Sequence, residues 1–256
     1  MAGQLGNGTK IDSPSPVEVV APKLGGGYHR IERVKHIATG GTHSCAVVAE
    51  TQTYAVCWGR NDSGQLGTGN HIDSVAATPV FVTPLHGMPY VLTDVDRLAG
   101  GSFHTCAILE ATRLAECWGS NVSGQIGNPA AGMMTSSPFG IPASFAQLSG
   151  GDQHTCGIMT DGHLSCWGLN DDGQLGDGFN DTAHSPLILS ISGTTVSAGV
   201  SHSCAVTPDA TIRCWGKNNA GQLGTGNLKT SNWPVLVLRF NDRIFADDYE
   251  VRSDGL

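Results

Sequence analysis

Charge is scarce in this chain: Asp, Glu, Lys and Arg make up 14% of its 256 residues. Lys and Arg number 14 against 22 Asp and Glu, a formal charge of −8, and no basic run occurs. A surface of that sign repels phosphate backbones, which argues against a nucleic-acid partner. No stretch of about 18 apolar residues exists to span a membrane as a helix. Helical periodicity is missing too, and no Cys-X-X-Cys spacing occurs. No Ser/His/Asp set or lone acid pair stands out. The Gly-X-Gly strings sit inside repeated turns without a following helix, so they are not nucleotide fingerprints. The expectation is a chain with no catalytic residues, no bound metal and no cofactor.

Glycine, by contrast, is abundant at 35 residues. Many glycines belong to one sentence written four times. It reads Gly-X-X-His-Ser/Thr-Cys, a short gap, then Cys-Trp-Gly-X-Asn-X-X-Gly-Gln-Leu/Ile-Gly. The copies are anchored at His43, His104, His154 and His202, spaced 61, 50 and 48 residues apart. A period near 50 residues, rich in turn and β-forming residues, predicts one small antiparallel sheet per copy. Such a sheet cannot bury both faces alone, so neighbouring copies must stack.

All eight cysteines fall inside the copies, two in each: Cys45/Cys57, Cys106/Cys117, Cys156/Cys166 and Cys204/Cys214. The third pair is centred on Asp161 in Thr160-Asp161-Gly162, a good hairpin turn. Cysteines equidistant from a hairpin tip face each other on adjacent strands, about 4.5–5.5 Å apart at Cβ, close to disulfide geometry. Each bridge would add roughly 3 kcal/mol. Four of them point to an oxidising compartment, extracellular or on a cell surface. Free buried thiols and a His/Cys metal set are the rival readings; zinc would need ligands from two different sheets. Residues 1–6 enter the repeat part-way, with no export segment ahead of them. An excerpt of a longer exported protein reconciles this with the cysteines, and an intracellular protein with reduced thiols is the alternative.

Within a copy, the small-residue stretch Ala146–Gly151 is placed nearest a central axis. His154–Met159 and His163–Trp167 form the hairpin, and Ser185–Leu189 is the outer strand. Each Trp follows a Cys, so the two point to opposite faces. The tryptophans therefore pack between sheets. The Asn/Asp/Gly segment after each Trp reads as a structured loop. It fails the EF-hand spacing. The recurring Gln65, Gln125, Gln174 and Gln222 are expected to hydrogen-bond backbone across sheets, and the recurring histidines to be structural. Sequons occur at Asn7, Asn61, Asn121 and Asn180.

These motifs resemble the regulator of chromosome condensation repeat family. The likeness covers residues 34 to 238, with a leading half copy between Gly3 and Val20. It implies an all-β fold, a β-propeller of stacked four-stranded antiparallel blades, usually seven. Here four complete repeats and a half imply either a five-blade ring or an open arc of a larger propeller. The expected divisions are a half blade at 1–20, blades at 34–91, 95–143, 145–190 and 194–238, and a degenerate half blade or tail at 240–256. The paired cysteines resemble those of exported bacterial members.

A propeller presents variable loops on a rigid frame, which favours a non-catalytic protein-binding scaffold. The copies differ most at the hairpin tips and ahead of the outer strand. Candidate partner-binding residues are Tyr54, Arg113 and His163 at or beside the tips, and His71, Met133, Met134 and Phe179 in the second region. The resemblance also offers a guanine-nucleotide exchange role on a small GTPase; no loop here matches that chemistry. An open arc would expose a blade face and favour self-association.

Overall fold

The computed structural model describes residues 2–23, 25–84 and 87–238. It contains nineteen strands and, among the described residues, one short 3-10 turn, Pro129–Ala131. A hairpin of β1 (Val20–Pro22) and β2 (Tyr28–Arg30) follows the leading segment. The first blade is β3 (Val34–Thr39), β4 (His43–Ala49), β5 (Thr53–Gly59) and β6 (Ser74–Pro79). A second hairpin, β7 (Phe81–Val82) and β8 (Tyr90–Val91), leads out of it.

The second blade comprises β9 (Val95–Gly100), β10 (His104–Leu109), β11 (Leu114–Ser120) and the front of β12 (Met134–Gly150). The third uses the rear of β12, then β13 (His154–Met159), β14 (His163–Gly168) and β15 (Ala183–Ser192). The fourth is β16 (Thr195–Ala198), β17 (His202–Val206), β18 (Ile212–Gly216) and β19 (Ser231–Leu236). Every neighbouring pair within a blade is antiparallel. Because β12 runs unbroken from outer to inner position, the second and third blades share one seven-stranded ladder. The sequence reading placed a break there. Register shifts near Leu114 and Phe145 let the strand turn without leaving the ladder.

Cysteines oppose each other as the hairpin arithmetic requires: Cys45↔Cys57, Cys106↔Cys117, Cys156↔Cys166 and Cys204↔Cys214 are register partners. All four pairs are disulfides, with Cα separations of 4.0–4.1 Å. That is the close-approach kind of antiparallel pair. The free-thiol and metal readings fall with this pairing.

The small-residue inner strands pack in sequence, β3 on β9, β9 on β12 and β12 on β16. Three apolar cores lie between successive blades. Trp118 sits among Cys45, Val47, Leu66 and Val80 of the blade before it. Trp167 packs on Cys106, Ile108 and Ile126, and Trp215 on Cys156, Ile158 and Leu175. Successive residues on a strand alternate faces, so each cysteine faces the following blade and the adjoining tryptophan the preceding one.

Among the described residues, no main-chain hydrogen bond joins the fourth blade to the leading segment or the first blade. The described residues form an open arc. The expected tail copy at 240–256 lies outside the described residues.

Trp167 is fully buried and touches the Phe145 ring at 5.5 Å between centroids. Trp167→Ala is expected to cost roughly 3–5 kcal/mol in denaturant unfolding. A change near zero would show that the second and third blades do not depend on this packing.

Candidate functional site

Four loops of identical sequence pattern join strand three to strand four of each repeat, and the Asn of each organises its loop. Asn61, Asn121, Asn170 and Asn218 are all buried. Their Oδ1 atoms accept the N–H of Leu66, Ile126, Leu175 and Leu223 at 2.9–3.0 Å. Their Nδ2 groups donate to loop carbonyls such as those of Ile72, Gly132, Phe179 and Lys229. The sequons at Asn61 and Asn121 therefore fall on enclosed, occupied amides. Asn180 is exposed and Asn7 half-buried.

The Gln that follows acts differently from the sequence expectation. Its side chain stays at home: Gln65, Gln125, Gln174 and Gln222 Oε1 each accept the N–H two residues earlier, at 2.9 Å. The crossing is made by the main-chain carbonyl. Gln65 O accepts Trp118 Nε1–H at 2.9 Å and the Thr105 hydroxyl at 2.8 Å, both from the next blade. Gln125 O does the same for Trp167 and Thr155, each at 2.9 Å. Gln174 O serves Trp215 at 2.8 Å and Ser203 at 2.9 Å. A main-chain oxygen has two lone pairs, and both are used.

The recurring histidines complete this station. His43 Nε2 lies 2.8 Å from Thr105 Oγ1, His104 Nε2 2.8 Å from Thr155 Oγ1, and His154 Nε2 2.9 Å from Ser203 Oγ. Each hydroxyl already spends its proton on a Gln carbonyl, so the imidazole must be the donor. That fixes the Nε2–H tautomer and leaves Nδ1 bare; Nδ1 of all three has no partner. Burial pushes His43 and His154 down to about 4 and His104 to about 3, with neighbouring histidines adding to the last. His202, in the last described blade, is half-buried, and burial lowers it too.

Two glycines per copy make room for these contacts. Gly127 has φ +77°, and a Cβ there would lie 2.7 Å from Trp167 Nε1. Gly101 lies under the His104 ring, where a Cβ would overlap the imidazole. Backbone this close to a ring admits no side chain.

The candidate partner residues divide between two opposite rims. The hairpin tips lie at one end of the strands and the Asn loops at the other. On the tip rim, Tyr54 is half-buried and donates to Glu50 at 3.3 Å. Arg113 is half-buried, ion-paired with Asp96 and donating to the carbonyls of Phe145 and Ala146. His163 is exposed, 3.2 Å from Asp161. On the loop rim, His71 and Met134 are exposed, Met133 is 69% exposed and Phe179 64%. Trp233, which the sequence reading passed over, is exposed on the same rim above Gly178, next to Phe179. Its sequence signal was a fifth Trp outside the Cys-Trp-Gly pattern. Among the described residues no cluster of His, Cys, Asp and Glu could hold a metal ion. Nor is any helix there long and apolar enough to cross a membrane.

The repeat and its stations match a known pattern. The regulator of chromosome condensation (RCC1) repeat is recognised over residues 1–47, 57–108, 161–206 and 212–247, and a second form of it over 145–174 and 194–222. The chain belongs to the RCC1-repeat family. It is 31% identical over 184 residues to the ultraviolet-B receptor UVR8 of Arabidopsis thaliana, covering 69% of this chain and 37% of the receptor. It is 29% identical over 197 residues to the human E3 ubiquitin-protein ligase HERC2, covering 73% of this chain and 4% of the ligase. The chain thus spans well under half the length of either relative. Among solved structures, human WBSCR16 superimposes with a TM-score of 0.69 at 22% identity, covering 87% of this chain and 59% of that one. Prp20p of Saccharomyces cerevisiae gives 0.69 at 19%, covering 83% and 53%. These likenesses establish the RCC1-type β-propeller fold.

Acid should dissolve the stations. Unfolded histidine titrates near 6.5 and the three buried ones near 3 to 4. Between those values the unfolded chain binds protons that the native chain refuses, so stability falls as pH drops below about 6.5. The slope is about 1.4 kcal/mol per pH unit for each imidazole. Glu116, raised by burial, works in the opposite direction but is a single group. Urea midpoints should fall steeply between pH 6.5 and 4.5, and His104→Gln should flatten that fall. A pH-independent midpoint would contradict the buried neutral imidazoles.

Proposed function

We propose that this chain is a non-catalytic protein-binding scaffold that works outside the cell, and that its Asn-loop rim carries the recognition surface. One observation carries the reading. Met133, Met134 and Phe179 are large apolar side chains left open to solvent on loops whose backbone is tied down by buried asparagines. Flexible thioethers and an aromatic ring on a rigid support are good protein anchors. Arg113 and Tyr54, by contrast, are engaged by the chain's own atoms, which leaves the tip rim with less to offer. The four disulfides support an oxidising setting, since thiols would stay reduced in a cytosol. The yeast structural neighbour has been solved bound to the protein Kap60, so the fold is compatible with a protein partner. The repeated histidines are committed to structure, which supports a scaffold rather than an enzyme.

Affinity capture from the native extracellular milieu tests this. The wild-type protein should retain a protein partner, and Met133→Ser/Met134→Ser/Phe179→Ser should lose it without a change in Tm. Reduction of the disulfides before capture should also abolish retention. Capture that survives the triple substitution would overturn the assignment of the rim.

A further inference from the structure

The fifth tryptophan behaves unlike the other four. On the outer strand of each blade, one position lies two residues beyond the partner of the Cys-Trp-Gly glycine. Counted from the pairs Gly59↔Ser74, Gly119↔Thr135 and Gly168↔Ala183, it is Ala76, Ser137 and Ser185 in the first three blades. Counted from Gly216↔Ser231, it is Trp233 in the fourth. Blade stacking therefore does not require a ring at this place. The four repeat indoles each spend their N–H on a main-chain oxygen. Trp233 Nε1–H has no partner among the described residues, and Trp233 is 54% exposed.

The ring is nevertheless well supported. Its benzo part rests on Gly178, φ +87°, where a Cβ would overlap Cζ2. Gly178 N–H donates to Asn232 O at 2.9 Å. Asn232 Nδ2 donates back to Gly178 O at 2.8 Å and to Asn180 Oδ1 at 3.1 Å. Asn180 Nδ2 in turn donates to Asp171 O at 2.9 Å. Phe179 follows Gly178, with its carbonyl held by Asn170 and its N–H by Asp177, both at 3.1 Å. Hydrogen-bonding capacity is left over around the two rings. Among the described residues, Asn232 Oδ1 and the exposed carboxylates of Asp171 and Asp181 accept no hydrogen bond, and Asn180 keeps one amide proton.

A ligand that satisfies this surface is apolar on its face and carries donors and acceptors around its edge. A pyranose ring has that form. Its C–H groups are weak donors to the negative face of an aromatic ring, and each hydroxyl both donates and accepts. We propose that Trp233 and Phe179 are the platform of a binding site for a neutral pyranose sugar. Trp233 stacks on the sugar face, and Asn180, Asn232, Asp171 and Asp181 take its hydroxyls. The two uncompensated carboxylates repel uronic and sialic acids. This site goes beyond the protein-binding reading and uses neither Met133 nor Met134.

The probe is a printed array of neutral, anionic and amine-bearing oligosaccharides, with the full chain applied in solution. The protein should bind neutral sugars and pass over those with acidic groups. Trp233→Ala should weaken binding roughly tenfold or more at unchanged Tm, and Trp233→Tyr, which keeps a flat ring, should retain most of it. Met133→Ser/Met134→Ser should bind as the wild type does. Binding should be equal at low salt and at about 0.5 M salt, because no ion pair forms. In NMR titrations with the best array sugar, the Nε1–H signal of Trp233 should shift while those of Trp118, Trp167 and Trp215 stay in place. Absence of array binding, or binding that survives Trp233→Ala, would overturn the proposal. Salt-sensitive binding confined to amine-bearing sugars would overturn it too, and would mark the carboxylates as a cation site.

Discussion

One main-chain oxygen per repeat holds the stack together. The carbonyl of the loop glutamine accepts an indole N–H and a hydroxyl from the next blade, and that hydroxyl in turn accepts from the histidine of the glutamine's own blade. All these groups are buried, where an unmet donor or acceptor costs about 1–3 kcal/mol. Each station is therefore all-or-none: shifting one blade against the next breaks three hydrogen bonds and uncovers a tryptophan. Apolar area alone would tolerate sliding; a station with fixed donors and acceptors does not. The asparagine that shapes each loop, and the glycine beneath each indole, exist to bring that oxygen to the right place.

Disulfides and stations divide the work between them. The sulfurs join strands two and three within a blade, so they stiffen the unit but transmit nothing between units. The stations join units. Stability in such an array is a sum of unit and interface contributions. Among the described residues the ends of the arc differ from its middle: His202 makes no hydrogen bond like that of His154 to Ser203, and Ile37 is 68% exposed where Leu98 is 5%.

Much of this was legible in the residues. Hairpin arithmetic fixed the cysteine partners, because Thr160-Asp161-Gly162 gives an unambiguous centre. Alternation along a strand placed Cys166 and Trp167 on opposite faces. The carbonyl station was not legible, since a main-chain acceptor leaves no mark on residue identity; the repeated Gln drew attention to its side chain instead. The continuity of β12 was hidden as well. Pro138 and Pro142 lie within β12, and the ladder absorbs them at register shifts. The hairpins β1–β2 and β7–β8 are too short for an alternating pattern to show. Exposure at Met133 and Phe179, and the commitment of Arg113 to Asp96, depend on contacts distant in sequence.

The indole protons report on the stations directly. Solvent exchange of the five Trp Nε1–H signals, followed by NMR, should leave Trp118, Trp167 and Trp215 protected to the level of global unfolding, while exposed Trp233 exchanges at once. Rapid exchange of all five would mean that the glutamine carbonyls do not hold the blades together.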